Sequence, residues 1–390
     1  MFERSKKTTT NHKQQTINNK KMIKKLVVLL FLLTTTLSFS QTLSEKATIS
    51  ILNCGTGNES YSLYGHTGIR INDPLQGIDI VFNYGAFDFE TPNFMLKFVK
   101  GDLQYFVTAN YYPDFEYTYR YEKRSIYEQE IDLSKEQKEL LYKQILLSAN
   151  SDEKFYTYKF IDRNCTTMVI DKVNAVLEGK PITTLKPVTI SYREILYPYM
   201  ENHFFEKLGI NIIFGTKVDQ PAERLFLPLE LIQSLENTEI NGKPLAKPTK
   251  TIYEAPENDY QPNPFNSIYT LIIVLGLIIL VRKKGLTQSY FILLGSLGLF
   301  FCLVGLYSQH EEVLWNYNAF LFNPIYLLLA FFYFKKNQKG IVKTGQILIF
   351  CLLGYLVYML GKIHLLIVLP FIVTNFLLVG RLILENKKLV

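Results

Sequence analysis

The chain has 390 residues, 48% hydrophobic and 14% aromatic, with a formal net charge of +7. That charge is local: residues 1–25 hold eight basic side chains against one acidic, so the rest is neutral overall and a nucleic-acid-binding class loses its main support. The four cysteines and five histidines lack ligand spacing, so neither a metal nor a cofactor is implied.

Lys20, Lys21, Lys24 and Lys25 precede an apolar run from Leu26 to Leu33, and Ser38-Phe39-Ser40 follows. This charged, hydrophobic, small-residue order is that of a secretory signal. Residues 1–40 are therefore expected to be a signal peptide with a polar N-terminal extension, and the mature chain to begin near Gln41. A single exported domain is expected over 41–243, long enough for one core. Short strands are expected at 47–52, 68–71, 78–82 and 103–107, where apolar and polar residues alternate. A helix follows from Ser134 to about Ala149, with Ser134 and Gln137 placed as a capping box.

The next helix carries the chemistry. Asn164 is placed as its N-cap, and Cys165 takes the first helical position. Cys165, Val169, Val173 and Val176 share one face, and Gly179 supplies the stop. A thiol at a helix N-terminus is biased toward thiolate, the more so beside an imidazole. His66 can supply one, standing between Gly65 and Gly68 at the entrance to a strand. That pairing is what nucleophilic catalysis by cysteine needs. Two bland readings compete: a Cys54–Cys165 disulfide, natural in an oxidising compartment, and a purely structural histidine.

Beyond the domain, 244–264 is rich in proline and reads as a linker. Five apolar stretches then follow, at 265–281, 288–307, 319–334, 345–360 and 363–380, each near the roughly 17 to 25 residues that span a bilayer. The connections after the first and third are basic, whereas the one after the second is Ser308-Gln309-His310-Glu311-Glu312. By the positive-inside rule the basic loops and the C-terminus are cytoplasmic, and the His310 loop faces the exported side. His310, Trp315, Asn316 and Asn318 thus fall at the mouth of the bundle, as head-group or client-binding candidates or as interfacial anchors.

Three segments in order, Tyr64-Gly65-His66-Thr67-Gly68-Ile69-Arg70, Asn83-Tyr84-Gly85-Ala86-Phe87-Asp88-Phe89 and Asn164-Cys165-Thr166-Thr167, carry a family resemblance. Pro92-Asn93-Phe94, Gly101 with Tyr105, Arg224 to Pro228 and Asn323-Pro324 extend it. The chain resembles the lipoprotein N-acyltransferases of the Bacteroidota type. The resemblance implies an α+β class, with a circularly permuted papain-like (NlpC-related) exported domain followed by an all-α five-helix transmembrane bundle in the inner membrane. It implies Cys165 as nucleophile and His66 as general base and acid. Asn83 is the first choice to orient the imidazole and Asp79 the second. Tyr64, Arg70, Tyr84 and Asn164 are placed in substrate binding, with the Cys165 N–H and a side chain of Tyr64 or Asn164 as oxyanion donors. A membrane phospholipid would be the acyl donor and diacylated lipoproteins the acceptors. Two other classes stay open: a membrane-tethered cysteine hydrolase of cell-wall bonds, and a non-enzymatic scaffold holding the Cys54–Cys165 bridge.

Overall fold

The computed structural model describes residues 24, 42–187, 189–256 and 263–387. The expected signal segment, apart from Lys24, and positions 257–262 of the expected linker lie outside the described residues. The exported part is built on one antiparallel sheet. Its strands are β1 (Thr48–Cys54), β2 (His66–Asp73), β3 (Ile78–Ala86), β4 (Gln104–Tyr111), β5 (Ile126–Glu130), β6 (Phe155–Thr157) and, after a short hairpin of β7 (Glu239–Ile240) and β8 (Lys243–Pro244), β9 (Lys250–Tyr253). The large sheet has the order β6-β4-β3-β2-β1-β5-β9. β9 falls within the stretch read as a linker, so the chain closes one sheet edge before it leaves for the membrane part.

Helices cover both faces, and the period-2 alternation of the strands decides which residues meet them. In order they are α1 (Phe94–Lys100), α2 (Tyr112–Tyr121), α3 (Lys135–Asn150), α4 (Cys165–Asn174), α5 (Tyr192–Leu196), α6 (Phe204–Ile213) and α7 (Pro228–Asn237). Leu52, Cys54 and Val81 pack on Tyr112 and Phe115 of α2. On the opposite face, Thr67 meets Thr166 of α4 at 3.0 Å and Gln129 donates to the Ile232 carbonyl of α7 at 3.1 Å. The Ser134 capping box opens α3 as its sequence pattern dictates.

The membrane part holds α8 (Ile268–Val281), α9 (Lys284–Val304), α10 (Ile325–Phe334), α11 (Gln338–Met359) and α12 (Leu365–Lys387). By length and composition α9, α11 and α12 can cross a bilayer, while α8 and α10 are shorter apolar helices. The five expected stretches are thus helical with different bounds, and three reach spanning length. The third shrinks most, for a local reason. Asn323 Oδ1 accepts from Ile325 N–H at 3.0 Å, and Pro324 caps the start of α10, so 320–324 turns instead of winding. There α9 comes close: a Cβ on Gly298 would stand 1.5 Å from the Phe322 carbonyl oxygen.

Candidate active site

Asn164 opens α4 by a reciprocal box with Thr167. Its Oδ1 accepts from the Thr167 N–H at 2.9 Å, and its own N–H donates to Thr167 Oγ1 at 2.8 Å. This fixes Cys165 at the first helical position, partly buried, facing the start of β2. α4 ends at Asn174 and not at Gly179, because the Asn174 amide exchanges two hydrogen bonds with the backbone of Ile182, at 3.0 and 3.1 Å. Val176, expected on the helix face, therefore lies beyond its end.

His66 is the first residue of β2, and Asn83 lies on the neighbouring β3, whose register pairs Gly68 with Asn83. Asn83 Oδ1 stands 3.1 Å from His66 Nε2, while Asn83 Nδ2 donates to Asn110 Oδ1 at 3.2 Å, so the carbonyl end of the amide faces the ring. His66 Nε2 is then the protonated nitrogen, and Nδ1 is left for a partner. Tyr119 stacks on the same ring, 12° from parallel with centroids 6.2 Å apart. Burial pushes the Cys165 thiol up. The charge of His66 and its hydrogen bond outweigh this, with help from the Thr67 backbone and the Thr166 hydroxyl, and hold the thiol below its ordinary value.

Cys54 pairs with His66 across β1 and β2, yet burial drives its thiol far up, out of the thiolate range. Both sulfurs are free, so the disulfide reading is overturned.

Cys165 and His66 stand on the wall of a cleft of about 500 Å³. Among the described residues eleven aromatic side chains line it and no Lys, Arg, Asp or Glu does, which makes it a site for apolar groups. The rings come from several separate stretches, with Tyr61 and Tyr64 before β2 and Tyr84 in β3. Phe87, Phe89, Phe94 and Phe98 lie before β4, Tyr105 is in β4, Tyr158 and Phe160 precede α4, and Phe226 precedes α7. Site residues that sequence reasoning missed are mainly these, together with Thr67, Thr166 and Tyr119.

The other expected site residues divide. Tyr64, Tyr84 and Asn164 line the cleft. Tyr64 gives its hydroxyl to Met200 Sδ at 3.3 Å, and Asn164 spends both amide hydrogens on the carbonyls of Phe160 and Phe226, each at 2.8 Å. Neither is therefore placed as an oxyanion donor. Arg70 is not in the cleft: it lies four residues along β2 from His66, about 13 Å. There it pairs with Asp79 at 2.7 Å and Glu128 at 3.1 Å and lies over the Tyr112 ring. The same pair removes Asp79 from any role beside His66.

At the mouth of the bundle the expected ligand-binding side chains instead hold the exported part. Asn316 Nδ2 donates to the carbonyls of Ile212 and Ile213, and Asn318 Nδ2 to those of Asn211 and Ile212. These are the carbonyls that end α6 and have no partner within it. His310 Nε2 bonds the Phe98 carbonyl of α1 at 2.8 Å. Trp315 is 84% exposed on a second apolar cleft beside Cys302 and Leu306, the position of an interfacial anchor. Behind Asn318 lies a buried charged cluster. Arg193 donates to Asp219 at 2.5 Å, Tyr317 and Lys362 reach the other Asp219 oxygen at 2.8 and 3.0 Å, and His364 Nε2 bonds the Tyr317 hydroxyl at 3.0 Å. Glu311 joins Lys159 and Lys217 outside it, and those two hydrogen bonds lower its carboxyl to about 2.

Comparison with known families accords with this division. Residues 37–195 match the Lnb N-terminal periplasmic domain, and residues 256–387 match the Lnb transmembrane domain. No curated protein and no solved structure matches the chain.

Proposed function

From a chain that belongs to the Lnb family in both its periplasmic and its membrane part, we propose a lipoprotein N-acyltransferase that works through a Cys165 thioester. The observation that carries the reading is the Cys165–His66 pair on the wall of a charge-free aromatic cleft. A hydrolase of cell-wall peptides would need a polar groove, and this lining is its opposite.

In the proposed reaction the Cys165 thiolate attacks an ester carbonyl carbon of a membrane phospholipid. The carbonyl oxygen gains negative charge in the tetrahedral intermediate, and the Cys165 backbone N–H at the start of α4 is the nearest candidate to bind it. The ester C–O bond breaks, and the His66 imidazolium gives its proton to the departing lysophospholipid oxygen. The neutral α-amine of a diacylglyceryl-cysteine then attacks the thioester carbonyl, the sulfur leaves as thiolate, and His66 takes the amine proton. Asn83 keeps the Nε2–H tautomer throughout, so that Nδ1 works on the sulfur side. The order of the histidine strand before the cysteine helix fits the permuted papain-like arrangement. We place the protein in the inner membrane with a cytoplasmic C-terminus, on the basic connections after α8 and α10.

The membrane part gains its reason from cost. Drawing an acyl chain into water loses about 0.8 kcal/mol per CH₂, and a cleft resting on the bundle mouth avoids that exposure. The test is mass spectrometry of a lipoprotein N-terminus from cells with the protein, without it, and with Cys165→Ser. The third acyl chain should appear only in the first. Its presence in all three would end the reading.

A further inference from the structure

α1 is a helix with no buried residue, although five of its seven side chains are apolar. Met95, Leu96 and Phe98 are 66%, 73% and 45% exposed, and Phe89 just before it is 73% exposed. A soluble domain does not spend such surface without a use. Two further observations say what covers it.

The first is where α1 is tied. Its last carbonyls are taken by the segment that follows the membrane helix α9: Gln309 N–H donates to the Lys100 carbonyl at 2.7 Å, Ser308 Oγ to that of Val99 at 3.2 Å, and His310 Nε2 bonds that of Phe98. Gly101 closes α1 at φ +79 with the His310 ring against it, 3.0 Å from where a Cβ would stand, so the contact admits only glycine. Ser308 to His310 lie four to six residues past the end of a 21-residue apolar helix, flanked by exposed Leu306, Tyr307 and Trp315. That is the composition of a membrane–water boundary. The second is where α1 leads. Phe98, Phe94, Phe89 and Phe87 form a continuous row with centroids 6.2, 5.2 and 4.8 Å apart, and all four line the cleft that holds Cys165.

We propose that α1 is a membrane-inserted entry element: Met95, Leu96 and Phe98 sit among the lipid acyl chains of the bilayer surface, and the phenylalanine row guides one chain from there to Cys165. The occupant is lipid, because the helix is fixed to the end of an apolar span and its ring row runs without a charged side chain into the cleft. The guiding role rests on the transferase reading; the insertion does not.

The experiment uses the full chain in phosphatidylcholine vesicles, with Trp315→Phe as background. Leu96→Trp should lose more than half its fluorescence when the lipids carry brominated acyl chains, and should resist acrylamide. Leu140→Trp on α3, at an exposed site of the sheet-covering helix, should behave the opposite way. Quenching of Leu96→Trp by acrylamide alone would place α1 in water, and quenching by neither agent would place it under protein; either result would overturn the insertion. Leu96→Asp should reduce acyl transfer from vesicles at least tenfold while a water-soluble alkylating reagent still modifies Cys165 at the native rate. Unchanged transfer would overturn the entry role. A wild-type protein that shows the bromine quenching but transfers no acyl chain would sink the transferase reading and leave the insertion standing.

Discussion

The substitution Asp219→Asn separates the chemistry of the cleft from its placement on the bundle. The Asp219 side chain is 8% exposed and binds Arg193, Lys362 and the Tyr317 hydroxyl together, joining exported and membrane residues. Burial alone would raise its carboxyl, but Arg193 above all, with the hydrogen bonds of Tyr317 and Lys362, holds it below the usual carboxylate range. The amide keeps the shape and removes the charge, leaving the 1% exposed Arg193 uncompensated. Removing one member of a buried pair costs roughly 3–5 kcal/mol, and about 1.4 kcal/mol is a factor of ten, so the undocked population should rise by roughly two to three and a half orders of magnitude. The sheet, α4 and the His66 pair lie outside this cluster. In detergent-solubilised protein, thermal unfolding should therefore begin earlier and proteases should cut the 311–324 loop. Cys165 should keep its native alkylation rate below that transition, while acyl transfer from vesicles falls. Native thermal stability together with native transfer would refute the claim that this cluster holds the two parts together.

Other perturbations follow from the same geometry. In a Cys302→Ala, Cys351→Ala background, iodoacetamide at pH 7 should modify Cys165 and spare Cys54 until denaturation; His66→Ala should move the Cys165 midpoint up and slow labelling about tenfold for each unit gained. Labelling of native Cys54 at the Cys165 rate would contradict the burial argument. Gly215→Ala would set a Cβ 1.9 Å from the Leu314 carbonyl oxygen and break the Gly215 N–H bond to the Glu312 carbonyl. A loss of about 1–3 kcal/mol or more is expected in thermal unfolding. His364, buried in the loop between α11 and α12, has its imidazole lowered to about 3, by burial first and then by the Arg193 charge. The unfolded chain takes up the proton near pH 6.5 and the folded one does not, so stability is complete above that value and falls as pH drops toward 3. The slope is about 1.4 kcal/mol per unit. His364→Gln should flatten it, and an unchanged slope would remove the assignment.

What could be read in the sequence was whatever a few adjacent residues decide. The start of α4 is such a case, since Asn164, Cys165 and Thr167 make their cap among themselves, and so is the Ser134 box. His66 was legible as one of two readings, since a histidine between glycines at a strand entrance can also be purely structural. The aromatic cleft was not, because its rings come from stretches more than a hundred residues apart that only the β3-β4-β6 pairing and the α4 crossing bring together. Asn316 and Asn318 were read as ligands for a different reason. An amide at the membrane boundary presents the same donors to a head group and to a helix-ending carbonyl, and only the position of α6 chooses between them. Arg70 shares a strand face with His66, but its distance along the strand and its pairing with Asp79 become visible only once the register is fixed.

These assignments constrain how a donor lipid would be held under the proposed reading. The polar side chains at the bundle mouth are committed to joining the two parts: Asn316 and Asn318 to α6, His310 to α1, Glu311 to Lys159 and Lys217. Among the described residues no Lys or Arg lines the cleft to meet a phosphate. Moving an ionised phosphate into such a lining without a partner would cost many kcal/mol, far more than the about 0.8 kcal/mol gained for each methylene that packs there. The lipid therefore enters by its acyl chain, and its head group stays at the aqueous rim. Depth along the cleft, set by how many methylenes pack against the phenylalanine row before the ester reaches Cys165, then becomes the property on which one ester can be told from another.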